Sequence, residues 1–175
     1  MSFPADLDQT PRPELPGLGT PWGTPTTIAY DEGAEVGYRW FAREGTAPLY
    51  AFGHGLGYTT FEYGGLEVSG GETITATFTV TNTGERDGAD VPQLYLTSAA
   101  GDERMRLVGF ERVALGAGES RSVTVTADAR LLARYDAGAG RWHVGAGLYR
   151  VMVGRAADDP VLSGEAELEQ RRFGS

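Results

Sequence analysis

Along Thr73-Ile74-Thr75-Ala76-Thr77-Phe78-Thr79-Val80-Thr81 every even position is apolar and every odd one is threonine. Period-two alternation sends successive side chains to opposite faces of an extended chain, so this stretch predicts a strand with one buried and one wet face. Asn82-Thr83-Gly84 and the following Glu85-Arg86-Asp87-Gly88 supply two turn signals. Val91-Pro92-Gln93-Leu94-Tyr95-Leu96-Thr97 predicts the next strand, with Pro92 at its start or at an edge because proline cannot donate to a ladder. Residues 106–115 and 120–126 predict a further pair, joined by Gly116-Ala117-Gly118-Glu119. Asp128 is placed to cap one helical turn through Leu131 and Leu132. Strands over 141–144 and 148–153 follow, with Gly145 and Gly147 between them, and 162–168 adds a final edge.

About seven short strands punctuated by turns predict an all-β fold. Its architecture is an antiparallel β-sandwich of immunoglobulin or fibronectin type III kind over 57–170, with 171–175 as a tail. Tyr149 is placed either as a corner tyrosine, its hydroxyl tied to backbone, or as a plain core aromatic.

Residues 1–56 follow different rules. Pro4, Pro11, Pro13, Pro16, Pro21 and Pro25 forbid a helix or an internal strand over the first 29 residues. The widely spaced Phe3, Leu7, Leu15, Leu18, Trp22 and Ile28 read as anchors of a strap lying on another surface, and a disordered tail is the alternative. Residues 30–47 hold a dense aromatic cluster on one short helical or extended element. Its rings bury against a neighbouring domain or against sugar faces. In Pro48-Leu49-Tyr50-Ala51-Phe52-Gly53-His54-Gly55-Leu56-Gly57-Tyr58-Thr59-Thr60-Phe61, glycines at every second position let the backbone pass close to its neighbours. Tyr50, Phe52, Tyr58 and Phe61 are expected to pin this junction down by burial.

Composition narrows the chemistry. With no cysteine and only two histidines, neither disulfides nor a thiolate metal site is expected, and no metal or cofactor is assigned. A net charge of −9 argues against nucleic acid or anionic membrane as a partner, since both need a basic face. All fifteen basic residues are arginine, which points to a GC-rich bacterial genome. No apolar run reaches a membrane span and no leader is visible, so a cytoplasmic location is expected. Asp31-Glu32 is a poor catalytic pair, because neighbours on an extended chain diverge; a solvated or Arg-paired role suits it better. Asp158-Asp159-Pro160 reads as a turn, and His54 as a histidine satisfied by backbone in a packed junction. His143 lies in a predicted strand with no nucleophile at a telling distance. No catalytic residue is assigned.

At Tyr30-Phe61 the sequence resembles the C-terminal part of glycoside hydrolase family 3, the β-glucosidase and β-xylosidase family. Gly37-Tyr38-Arg39-Trp40 resembles that family's linker, and Pro48–Phe61 its glycine-histidine-glycine signature, with Gly57 where serine is usual. Val80-Thr81-Asn82-Thr83-Gly84, Gln93-Leu94-Tyr95, Leu107–Val113 and Gly116–Ser120 follow its fibronectin-like domain. The resemblance implies that the catalytic Asp and Glu lie on upstream domains and that Met1 falls inside an ordinary member. The expectation is a non-catalytic domain bracing catalytic domains on the same or a separate polypeptide. Trp22, Tyr38, Arg39, Trp40, Tyr50, Phe52 and His54 are the candidate interdomain or sugar contacts. A stand-alone carbohydrate-binding or adhesion module is the alternative, with Trp22, Tyr38 and Trp40 as sugar platforms. A small hydrolase with an unrecognised carboxylate pair ranks last.

Overall fold

The computed structural model describes residues 1–15 and 17–174, so the strap proline Pro16 and the last tail residue, Ser175, lie outside the described residues. Two compact units emerge, Met1–Phe52 and Gly53–Ser175.

The second unit is built on two antiparallel sheets. One joins β1 (Phe61–Ser69), β2 (Thr75–Asn82) and β7 (Ser120–Thr126) in the order β1-β2-β7. The other joins β4 (Gln93–Ala99), β5 (Asp102–Phe110), β10 (Gly147–Ala156) and β11 (Asp159–Leu168) in the order β11-β10-β4-β5. The antiparallel sandwich is the expected one, but its seven strands include β1, which the alternation does not predict, and leave out 141–144. The even positions of β2 go inward, leaving Ala76, Phe78 and Val80 at most 1% exposed against Leu94, Leu96, Val123, Val125, Val151 and Val153 in one core. The threonines face water and pair across the strands: Thr75 with Thr126 and Thr77 with Thr124, each at 3.1 Å, and Thr81 with Ser120 at 2.8 Å. Such hydroxyl pairs stabilise a sheet face by a few tenths of a kcal/mol each.

Short strands fill the ends. β3 (Gly88–Asp90) pairs with β6 (Val113–Leu115), and β8 (Arg134–Asp136), β9 (Arg141–Val144) and β12 (Arg171–Phe173) form a small sheet in the order β12-β9-β8. Two expectations change here. The single strand over 106–115 is two strands in different sheets, broken at Glu111-Arg112. Its supposed partner 120–126 pairs with β2 instead, in register from Thr75↔Thr126 to Thr81↔Ser120. Sequence proximity favours the local hairpin; packing of one sheet on the other overrides it. Likewise 171–173, set apart as tail, closes the small sheet against β9, with Phe173 packed on the core.

Asp128 does cap the single turn α2 (Ala129–Leu132), accepting from the backbone N–H of Arg130 at 2.8 Å. Tyr149 turns out to be both things at once. It is buried in the core, and its hydroxyl donates to the carbonyl of Gly145 at 2.9 Å. Burial raises that hydroxyl's pKa. Tyr149→Phe should therefore cost only about 1 kcal/mol, the net worth of one hydrogen bond. Tyr149→Ala should cost about 3–5 kcal/mol by leaving a cavity. Chemical denaturation of the two variants separates corner from core.

Among its described residues the first unit contains one regular helix, α1 (Tyr38–Glu44), and a 3-10 turn at Leu7–Gln9. Its prolines do exclude longer elements. Among the described residues only Phe41 and Ala51 are buried hydrophobics in this unit. Polar ties take the place of a core: Arg12 and Glu32 pair at 2.9 Å, and Gln9 donates to the carbonyl of Ala47 at 3.1 Å while accepting from Ala5 N–H at 2.7 Å. Glu32 is thus the Arg-paired carboxylate expected of Asp31-Glu32, and its pKa is lowered by a backbone hydrogen bond and by Arg12.

Candidate functional site

The candidate residues of the first unit divide into two groups. Tyr38 opens α1 and meets Phe52 with ring centroids 5.3 Å apart, while the Arg39 guanidinium lies 6.0 Å from the Tyr38 centroid. Trp40, two residues on, donates its indole N–H to the carbonyl of Gln9 at 2.8 Å and has the Arg43 guanidinium 4.5 Å from its ring centre. Helical spacing separates Trp40 from Tyr38, so they do not form one platform. Tyr50 holds Phe3 by a backbone bridge and an edge-on ring contact at 6.4 Å, and stays half exposed. Trp22 presents its whole ring to solvent, at 104% relative exposure.

The glycine-histidine-glycine stretch belongs to the second unit and lines a cleft of about 820 Å³. Burial was the expected anchor, and this is corrected: Leu56 and Tyr58 are 95% and 92% exposed, and His54 is exposed on the cleft wall instead of packed inside a junction. Of the four aromatics expected to anchor it, Phe52 and Phe61 are half buried and Tyr50 and Tyr58 are exposed. What fastens the stretch is polar. Thr59 donates to Asn82 Oδ1 at 2.6 Å, Thr83 N–H donates to the Thr60 carbonyl at 2.8 Å, and the Thr60 and Thr83 hydroxyls pair at 2.9 Å. At the other end the Gly53 backbone lies against the carboxamide of Gln93 so closely that no Cβ fits between them.

Asn82 and Gln93 are the two residues that sequence reading passed over. Pattern alone marks Asn82 as a turn residue and Gln93 as one more strand position. Asn82 continues the inward series 76, 78, 80, and a polar residue on an inward position was the signal available. Both are buried and satisfied. Gln93 donates to the Arg155 carbonyl at 2.8 Å and accepts from the Tyr95 hydroxyl at 2.5 Å.

Three of the charged groups on the cleft wall, Asp90, Arg155 and Asp159, are committed to structure. Asp90 accepts from the Tyr63 hydroxyl at 2.6 Å, and Asp159 pairs with Arg155 at 3.3 Å. Burial, then Asp90, pushes the Tyr63 hydroxyl far above the ordinary tyrosine range. The described residues contain no group of three His, Cys, Asp or Glu able to hold a metal ion. The arrangement is therefore suited to contact: an exposed apolar loop tip on a rigid polar base.

Comparison with known proteins agrees with this geometry. Residues 90–157 match the fibronectin type III-like domain family. The chain is 37% identical over 169 residues to thermostable β-glucosidase B of Acetivibrio thermocellus, covering 92% of this chain and 22% of that protein. It is also 37% identical over 164 residues to the exo-α-(1→6)-L-arabinopyranosidase of Bifidobacterium longum, covering 91% and 21%. The crystal structure of the family 3 β-glucosidase of Bifidobacterium adolescentis superposes with a TM-score of 0.82 at 34% identity, covering 97% of this chain and 25% of that one. The chain thus spans about a fifth to a quarter of the length of these relatives, in which the matched region shares one polypeptide with catalytic domains. Fold, signature and match together place the chain in glycoside hydrolase family 3, as the linker and fibronectin type III-like domain of its C-terminal region.

Proposed function

We propose that the chain is a non-catalytic brace for the catalytic domains of a family 3 glycosidase, which hydrolyses O-glycosyl bonds in the intact enzyme. One observation carries the reading. The first unit, which buries almost no apolar surface of its own, still matches the relatives along with the sandwich. Ordering a residue costs about 1–2 kcal/mol, and a segment with two buried hydrophobics cannot recover that from itself. Leu18, Trp22, Leu56 and Tyr58, all more than three-quarters exposed, are the apolar contacts such a brace offers. Equal identity to a β-glucosidase and an arabinopyranosidase fits a part that supports the reaction without choosing the sugar.

The test is purification from the source organism with mass spectrometry of whatever accompanies the chain. A polypeptide carrying the catalytic domains is expected, covalently continuous or not; a chain that comes through folded and alone ends the bracing role. In a reconstituted pair, Leu56→Glu with Tyr58→Glu should weaken association about a hundredfold, each charge forcing desolvation at a contact. The melting temperature of the sandwich should barely move, because both side chains are exposed in this chain. Trp22 is the residue that favours direct sugar binding, and calorimetry with cellobiose and xylan decides between the two: no heat at millimolar sugar is the brace's outcome.

A further inference from the structure

An edge strand exposes unpaired backbone N–H and C=O groups, and folded proteins blunt such edges with charge, proline, bulges or cover. Three of the four edges of the two main sheets carry these devices. β1 is broken by a register shift between Gly64 and Glu67 and lies against β11. β11 holds Pro160 and slips register twice against β10. β5 carries Asp102, Glu103, Arg104 and Arg106 and slips twice against β4. β7, the outer strand of the order β1-β2-β7, is different. Its residues, Ser120-Arg121-Ser122-Val123-Thr124-Val125-Thr126, run beside β2 without a shift, contain no proline and hold one charge.

The phase of its hydrogen bonds is fixed at both ends. The Glu119 carbonyl accepts from Asn82 N–H at 2.9 Å, and Ala127 N–H donates to the Ile74 carbonyl at 2.9 Å. Antiparallel pairs alternate between bonded and non-bonded, so Arg121, Val123 and Val125 bond to β2. Ser120, Ser122, Thr124 and Thr126 then turn their N–H and C=O groups to the open side. The hydroxyl pairs Thr75–Thr126, Thr77–Thr124 and Thr81–Ser120 fall on those same non-bonded positions, where facing side chains come closest. Ser122 and Thr124 are exposed, and on that side their backbone groups bond to no other described residue.

We infer that this edge pairs with the same edge of a second copy of the chain, β7 antiparallel to β7 about a twofold axis at Val123. In that register Ser122 of one copy faces Thr124 of the other. Both are positions that bond outward, so each such pair exchanges both of its N–H···O bonds. Directly opposite residues share a face, so hydroxyl side chains meet on the wet side and Val123 meets its own copy on the core side. Arg121 lies near one end of the strand, so antiparallel pairing sets it opposite Val125 and keeps the two guanidiniums apart; a parallel copy would align them. The strand thus complements itself in bond phase, in face and in charge. The inference is independent of the bracing role, which rests on the first unit and the 53–60 loop.

Sedimentation equilibrium of the whole chain from about 10 µM to about 1 mM, with residue-level amide exchange, tests it. The apparent mass should climb from that of one chain toward that of two. Over the same range exchange at Ser122 and Thr124 should slow about tenfold or more, while Val123 and Val125, already bonded to β2, stay protected throughout. Thr124→Pro removes a donor aimed at the partner and none aimed at β2, so it should abolish the dimer. Ser122→Lys with Thr124→Lys keeps every backbone donor and sets like charges directly opposite across the twofold. It should weaken the dimer about tenfold. The melting temperature of the dilute chain should hardly change, because both side chains are exposed. One mass at every concentration overturns the proposal, and so does a dimer that either folded variant leaves intact. A dimer whose Ser122 and Thr124 amides exchange as fast as in the dilute chain uses another surface, which also overturns it. So does a monomeric chain in which those amides gain protection only when the catalytic polypeptide is added, since the edge then belongs to that partner.

Discussion

Asn82→Ala should lower the stability of the sandwich by about 3 kcal/mol and its melting temperature by roughly 10 °C, although it removes only a small polar side chain. The side chain is fully buried and uses its whole hydrogen-bonding capacity. Its Oδ1 accepts from the Thr59 hydroxyl at 2.6 Å and from Gly84 N–H at 3.1 Å; its Nδ2 donates to the carbonyls of Arg86 at 2.7 Å and Leu115 at 3.2 Å. Alanine would orphan all four partners at once, and a buried unpaired group costs about 1–3 kcal/mol. Arg86 and Gly84 sit in the 84–87 loop, where water can reach, so the total stays below the sum. Thr59→Val alone should cost about 1 kcal/mol, and almost nothing further in the Asn82→Ala background. Additive losses in that cycle would mean that Thr59 is held by something other than Asn82. Thermal melts followed by circular dichroism read all three variants.

That Asn82 matters could have been read from the sequence, and the comparison with what could not is instructive. Strict alternation over 73–81 encodes β2 directly, because each inward position needs only to be apolar and each outward one polar. The same rule marks Asn82 as an exception on the buried face. β1, by contrast, is interrupted by a register shift between Gly64 and Glu67, so alternation fails there and no strand is evident from pattern alone. Three-residue strands such as β3, β8 and β12 are too short to show a period at all. Partner choice is invisible for another reason: β7 follows β6 in sequence but pairs with β2, about 45 residues earlier, since inter-sheet packing decides it.

The candidate site was legible as a motif and misread as a mechanism. Sequence shows that Tyr58 and Leu56 flank glycines. It does not show whether a ring meets this chain's own core or a surface outside it. The rings of Tyr38 and Trp40 went to partners within their own unit, Phe52 and Arg43, through contacts that no local pattern specifies. The row formed by Arg134, His143 and Arg172 escaped for a related reason: these residues lie on three strands, and only the register of β8 and β12 on β9 aligns them.

Of the three alternating glycines, only the first should be indispensable. Gly53→Ala faces two penalties together. Its φ of +89° lies where L-residues are rare, and its new methyl would overlap the Gln93 carboxamide. Strain of that kind costs about 1–3 kcal/mol and overpacking a similar amount. Gln93 cannot yield, because moving it would break its bonds to the Arg155 carbonyl and the Tyr95 hydroxyl in a buried setting. The exposed loop from Gly53 to Tyr58 has little to hold it against such a penalty, so the loop should leave the cleft while the sandwich stays folded. Hydrogen exchange should then speed up across 53–60 with a melting temperature within a few degrees of the parent. Gly55→Ala is the matched control: no atom stands within 4 Å of its added Cβ and its φ is not in the left-handed region, so both readouts should stay put. Gln93→Ser in the Gly53→Ala background removes the overlap and leaves the φ strain, so it should restore exchange protection only in part. Full restoration would show that sterics alone require the glycine, and a global loss of stability in Gly53→Ala as large as that of Asn82→Ala would show that the loop is part of the sandwich's own cooperative unit.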